Sequence, residues 1–415
     1  MKIQNETPII DGTVLANTKF LGEFVSYSYK NGLSASILPT AKARSVEKAS
    51  QKRLLKSNSR EYYESSSLTE QVQLQVPVPC LRHTQIEIGE CIGEGSFSSV
   101  YTIKSIRKNA SPKKIQASKC VVKLLKKDLL QNPAMMAACA ADMAKEGYIM
   151  ASLAHKHVLS VRAWTPTGLA GLESGRHDAF FLVLDRLEDT LGDRLKQWKK
   201  HKTQLKYSLV QRGMKKTNFL KERLQVALHL ADAVAYLHSQ NILHRDLKPE
   251  NIGFDCQGIL KVFDFDVSRI MPNDADPEST FLFTKKVGSP RYMSPECARG
   301  EAYNLKSDVY TFALLLYEVL LLEKPYDGIA ASDQLHEVFM NGARPFVPLS
   351  WPQAIQTLIR DAWSEDILSR PPMQQVYQVL VREIPIMVQE KKSRSARSWS
   401  FRPPSQPQIS IPVAN

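Results

Sequence analysis

The chain has 415 residues, 43% of them hydrophobic, and a formal net charge of +13. That length suits two or three domains of about 150 residues and can bury a sizeable core, and the composition excludes a wholly disordered polymer. Six scattered cysteines form no Cys-x-x-Cys pair and no zinc spacing, which points to reduced thiols in an intracellular compartment, cytoplasmic and/or nuclear.

The N-terminal segment MKIQNETPIIDG carries neither a basic nor an apolar stretch, so no secretory leader is expected. Residues 1–83 are polar, Ser-rich in places and without a sustained period, and are expected to be a disordered extension. From Thr84 the texture changes. Ile86, Ile88 and Ile92 on one side and Val100, Thr102 and Ile103 on the other predict two strands joined by a glycine-rich turn. Cys120–Leu125 predicts a third strand, with a polar loop before it. Asn132-Pro133 opens a helix rich in Ala and Met that runs to Ala154. Phe180–Leu184 predicts another strand. Lys196 to Lys221 is a basic stretch without an acidic residue, apart from the helix that follows, where Leu220, Leu224, Leu228, Ala231 and Leu237 recur at helical spacing. Two short apolar pieces, Ile252–Phe254 and Leu260–Phe263, precede an irregular loop to about Glu296. Helices are predicted around Val309–Leu322, Ile355–Trp363 and Val376–Val381. The run Tyr310 to Leu322 contains Glu318 and falls short of the ~20 residues of a bilayer span, so it is read as a buried core helix. The last residues, 387–415, are expected to be a basic disordered tail.

Four segments carry chemistry. In Ile92-Gly93-Glu94-Gly95-Ser96-Phe97-Ser98-Ser99-Val100, two glycines one residue apart let backbone N–H groups approach phosphate oxygens without a Cβ in the way. Lys123 ends an apolar strand and can hold its ammonium in a cleft. Glu146, Met150 and Leu153 share a helix face, and a glutamate there wants a cation, for which Lys123 is the candidate. The segment Ile242-Leu243-His244-Arg245-Asp246-Leu247-Lys248-Pro249-Glu250-Asn251 follows a long helix and precedes a short strand.

With that last segment the chain resembles the eukaryotic protein kinase superfamily, whose catalytic loop reads H-R-D-L-x-x-x-N. The resemblance spans residues 84–386 and implies an α+β, bilobal kinase fold: a small β-rich N-lobe with one main helix (84–185) and a larger, mainly helical C-lobe (186–386), with Mg-ATP held between them. It implies ATP and Mg2+ as cofactors, and proteins phosphorylated on Ser or Thr as substrates, since lysine at 248 and serine at 289 resemble the Ser/Thr kinases. Asp246 would accept or orient the hydroxyl proton, Lys248 would neutralise charge on the transferred group, and Asn251 and Asp264 would hold Mg2+. Lys123, held by Glu146, would face the phosphates. Ile92, Gly93, Glu94, Gly95, Ser96, Phe97, Ser98 and Val100 would cover the nucleotide under Val121. Leu184 would be the gatekeeper, with Asp185 to Leu187 offering backbone groups to adenine. Asp308 would brace the catalytic loop, and Glu296 would pair with Arg370.

The sequence departs from the family pattern at Ser98, a third glycine elsewhere, and at Val121 and Gly253, where the family usually has alanine and leucine around adenine. It departs most at Asp266, which stands where D-F-G has glycine. Aspartate tolerates left-handed backbone better than most residues, so an active arrangement is expected to be reachable with restricted switching. The loop after Val267 holds Ser279, Thr280 and Thr284, which with Arg245 could form a phosphorylation switch. The alternatives are a kinase-fold scaffold without catalysis and a basic nucleic-acid binder. The full set Lys123, Glu146, Asp246, Asn251 and Asp264 argues against the first. The few aromatics among the charges, Trp198, Tyr207 and Phe219, argue against the second. The stretch 196–221 is left as a docking surface for acidic or phosphorylated partners or as solvated surface.

Overall fold

The computed structural model describes residues 59–60, 78–107, 115–166, 176–207, 212–272, 276, 278–284, 287–330, 333, 335–395 and 409–410. Most of the expected N-terminal extension and the chain beyond 395, except 409–410, lie outside the described residues. The chain divides into two compact units. The first holds residues 1–56, 63–154 and 158–187, and the second holds 57–62, 155–157 and 188–415.

The first unit is built on a five-stranded antiparallel sheet of β1 (Ile86–Glu94), β2 (Ser98–Ile106), β3 (Cys120–Leu125), β4 (Val161–Trp164) and β5 (Phe181–Asp185), in the spatial order β1-β2-β3-β5-β4. Alternation fixes the faces of β3. Cys120, Val122 and Leu124 join a core with Phe181 and Val183, while Val121, Lys123 and Leu125 point the other way. Residues before Thr84 already pack on this sheet. Leu81 and Val78 are buried, the Leu81 N–H donates to Trp164 O at 2.8 Å, and the Trp164 N–H donates to Pro79 O. Two isolated apolar residues gave no period to read, but one edge strand suffices to order them.

Helix α1 (Pro133–Ala151) begins with an Asn132 cap, whose Oδ1 accepts from the Met135 N–H at 3.1 Å, and with proline at the first helical position.

The second unit is mainly helical: α2 (Leu191–Tyr207), α3 (Arg212–Ser239), α4 (Pro295–Arg299), α5 (Lys306–Leu321), α6 (Gln353–Ala362) and α7 (Met373–Ser395). Short strands β6 (Asp189–Thr190), β8 (Ile252–Phe254) and β9 (Leu260–Val262) form one sheet, and β7 (Ile242–Leu243) pairs with β10 (Arg269–Ile270). α5 is apolar nearly all round and buried along its length, as a core helix must be. Its last carbonyls would be orphans in that setting. Arg223 Nη1 donates to Val319 O and Leu320 O at 3.1 and 3.0 Å, and Lys202 Nζ donates to Leu321 O at 2.8 Å. Part of the basic stretch therefore caps the central helix, where a cation also meets the negative end of the dipole.

Residues 196–207 and 212–221 of the same stretch are helical, which their charge concealed. Leu191, Leu195 and Trp198 are buried at helical spacing, while Lys196, Lys199 and Lys200 are exposed. α7 likewise runs past 387, where a disordered tail was expected. Ile384 and Met387, three residues apart on one face, are buried. None of the six cysteines is in a disulfide. Among the described residues no helix is long and apolar enough to cross a membrane.

Candidate active site

In the first unit, the hairpin β1–β2 turns at Gly95, Ser96, Phe97 and Ser98, with the Gly95 N–H donating to Ser98 O at 2.8 Å. A Cβ added at Gly93 would come no closer than 3.8 Å to Val100, and one at Gly95 would sit 3.4 Å from Ser98 O. The hairpin itself tolerates side chains at both positions, so their absence is explained by what approaches from outside. Gly93→Ala is therefore expected to leave the thermal midpoint within about 2 °C of the parent and to weaken nucleotide binding severalfold, read by titration calorimetry. Ile92 and Phe97 are half exposed at the rim of the turn.

Lys123 Nζ lies 2.5 Å from Glu146 Oε2, with the glutamate almost fully buried. A charge so deeply buried requires such a partner. The pair depends on Gly147, which sequence reasoning missed. A Cβ there would lie 2.7 Å from Leu182 Cδ2, and Leu182 is the cross-strand neighbour of Lys123. Glycine lets α1 lie against β5 closely enough for its glutamate to reach the lysine. At the end of β5, Leu184 is buried. The Asp185 N–H donates to Ser160 O and the Arg186 N–H to Lys119 O. Of the backbone groups expected to be offered to adenine, the N–H groups of Asp185 and Arg186 are thus engaged by the fold.

In the second unit, four donors converge on the Asp246 carboxylate. The backbone N–H and Oγ of Ser289 both donate to Oδ1 at 2.9 Å. Lys248 Nζ donates to Oδ2 at 2.6 Å and Asn251 Nδ2 at 3.1 Å. Asn251 Nδ2 also donates to Asp246 O at 2.9 Å, which fixes the amide with its nitrogen toward Asp246. Gly288 makes the approach of Ser289 possible: its φ is +101°, and a Cβ would lie 2.5 Å from Arg245 O.

The loop's backbone is held from below. Arg245 has a φ of 73°, a conformation that costs a non-glycine residue about 1 kcal/mol or more. Asp308 on α5 secures it: Oδ2 accepts from the His244 N–H at 2.8 Å and Oδ1 from the Arg245 N–H at 3.0 Å. Burial alone would raise the Asp308 carboxyl, but hydrogen bonds from His238 and from the His244 backbone outweigh it and hold it below the usual range. Arg245 in turn grips Val267 O and Thr284 O at 3.1 and 2.8 Å.

Asp264 has a φ of 69°, whereas Asp266 is not left-handed. The left-handed backbone for which aspartate was expected to substitute at the missing glycine is therefore not used, and the positive φ lies two residues earlier. Phe265 between them is fully buried, its ring 5.0 Å from that of His244. Carboxylate oxygens of Asp264 and Asp266 lie within 4.8 Å of each other.

Residues 86–380 match a family described as protein tyrosine and serine/threonine kinase. The chain is 29% identical over 304 residues to a probable serine/threonine-protein kinase of Dictyostelium discoideum, covering 72% of the chain and 16% of that protein. It is 31% identical over 164 residues to serine/threonine-protein kinase STY17 of Arabidopsis thaliana, covering 39% of the chain and 28% of the relative. It is 32% identical over 175 residues to serine/threonine-protein kinase Nek11 of Mus musculus, covering 40% and 27%. The matched segments thus span less than a third of these relatives.

Proposed function

Because the chain belongs to the protein tyrosine and serine/threonine kinase family, we propose that it transfers the γ-phosphoryl group of ATP to serine and threonine hydroxyls of protein substrates. The observation that carries this reading is the Asp246 carboxylate, oriented by four donors and still partly exposed. A carboxylate held this way can accept the proton of an incoming hydroxyl as its oxygen bonds to phosphorus. Lys248 lies beside it and neutralises charge on the transferred group, and Ser289 fixes the carboxylate's direction.

The residues present suit a magnesium ion. Asn251, Asp264 and, close by, Asp266 offer hard oxygens, and the Asn251 nitrogen is tied to Asp246, which leaves its oxygen for the metal. Bound there, the ion would neutralise and orient the phosphates. Lys123, kept in place by Glu146, would bind the phosphates. Gly93 and Gly95 offer backbone N–H groups to them. With the N–H groups of Asp185 and Arg186 engaged, the Leu187 N–H would be the donor to adenine, and the Asp185 carbonyl would be an acceptor. The competing reading is a kinase-fold scaffold. Calorimetric titration with ATP, with and without millimolar Mg2+, tests the nucleotide-handling part. Magnesium is expected to tighten binding at least tenfold, and Asp264→Asn to abolish that gain. Metal-independent binding, unchanged in the variant, would favour the scaffold.

Since Asp266 has ordinary backbone, Asp266→Gly is expected to keep transfer within about fivefold and to change how the loop switches. Complete loss of activity in that variant would refute this. Arg245 grips the Thr284 carbonyl, which favours Thr284 over Ser279 and Thr280 as the phosphorylated position. The exposed lysines of α2 form a docking face for acidic segments of substrates. Trp198 donates its indole N–H to Glu222 at 3.0 Å, and Phe219 is buried, so neither serves as a stacking platform for nucleic acid.

A further inference from the structure

Three histidines outside the catalytic loop meet in the second unit. His155 and His157 lie on the tripeptide between α1 and β4, and His229 lies on α3. The His157 and His229 rings stack with centroids 4.2 Å apart, and His155 stacks on Tyr236 at 4.6 Å.

The partners fix each tautomer. His157 Nδ1 faces Leu260 O at 3.1 Å and must carry its proton there. His155 Nδ1 accepts the His157 backbone N–H at 3.2 Å, so its proton sits on Nε2, 3.4 Å from Asp232 Oδ2. His229 Nε2 faces the Gln225 amide nitrogen at 3.0 Å and accepts from it. These contacts suit neutral rings, and each second proton carries a cost. On His155 it displaces the backbone N–H of His157. On His157 it places a charge on a ring whose burial disfavours it. On His229 it opposes a donor with a donor.

We propose that His155, His157 and His229 form a proton-sensitive latch, which holds the 155–157 tripeptide on α3 while neutral and releases it on acidification. The charged groups around it agree. Lys156 is on the tripeptide itself, and Lys261 on β9 donates to Lys156 O at 2.7 Å. Among the described residues Asp232, on α3, is the carboxylate that acts on all three rings, against these cations. Burial depresses His155 and His229 and pushes His157 down to about 4. A histidine depressed in the folded state stabilises it fully only above its unfolded value near 6.5. The contribution is lost as pH falls from there toward 4, because the open form binds the proton more tightly.

The test is hydrogen exchange of the 153–160 peptide in the full chain, corrected for intrinsic rates, at pH 7.5 and 5.5. The opening constant is expected to rise about tenfold through His157 alone. His157→Asn, whose amide can still donate to Leu260 O, should flatten the profile. If that variant does not fold, His229→Gln should flatten it in part. Ring-nitrogen NMR should show His157 as the neutral Nδ1–H tautomer at pH 7. A protonated His157 at pH 7, or a pH response equal in the parent and the folded variant, would overturn the proposal.

Discussion

Asp246→Asn should lower the rate of phosphoryl transfer by about 10²- to 10⁴-fold, the usual worth of a positioned general base, while leaving ATP affinity within about twofold. An amide has one acceptor where the carboxylate has two. If its oxygen keeps both hydrogen bonds from Ser289, its NH2 group meets Lys248 and Asn251, which are donors themselves. The reverse orientation opposes the NH2 to Ser289. Either way the loop loses a base and gains a clash of donors. Because no contact to nucleotide is assigned to this carboxylate, the loss should fall on kcat and not on the KM for ATP. A loss below tenfold would remove Asp246 from the proposed role.

The largest stability effect is expected at Arg370. It is fully buried and paired at both nitrogens with Glu296, each at 2.8 Å, and Ser307 Oγ donates to the same glutamate at 2.6 Å. Arg370→Met leaves a buried carboxylate without its cation and should cost about 3–5 kcal/mol, a large share of a typical domain's stability. Urea unfolding measures it. Adding Glu296→Leu should recover part of the loss, since a buried pair can be exchanged for apolar residues at little cost. The recovery is incomplete because Arg370 also donates to Ser364 O and Lys306 O. Acidification supplies a second check. Burial would raise the Glu296 carboxyl, yet Arg370 and Ser307 hold it below the usual range. Its contribution is therefore present above the unfolded carboxylate value and lost as pH falls through the lower folded one. In Arg370→Met the carboxyl rises, so the variant's deficit should shrink toward low pH.

Much of this site was legible because its chemistry is local. The glycine turn, the lysine strand and the segment from His244 to Asn251 each lie within ten residues, where spacing constrains function. What escaped was set by contacts across sequence. Gly147 matters only because Leu182 lies against it. Lys202 reads as one more surface charge until Leu321 is seen beneath it. The helix of 191–207 was hidden because only one narrow face is apolar and lysines fill the rest. Asp266 drew attention as a missing glycine, yet the backbone departs from the ordinary at Asp264, a shift that residue preference alone does not reveal.

The measurement that tests the central claim most directly is transfer of label from Mg-[γ-³²P]ATP to a degenerate peptide library, with phosphoamino-acid analysis, for the full chain beside Asp246→Asn. The expected result is label on serine and threonine with the parent and almost none with the variant. Equal labelling by both proteins, label on tyrosine alone, or no labelling by a parent that binds Mg-ATP would contradict it.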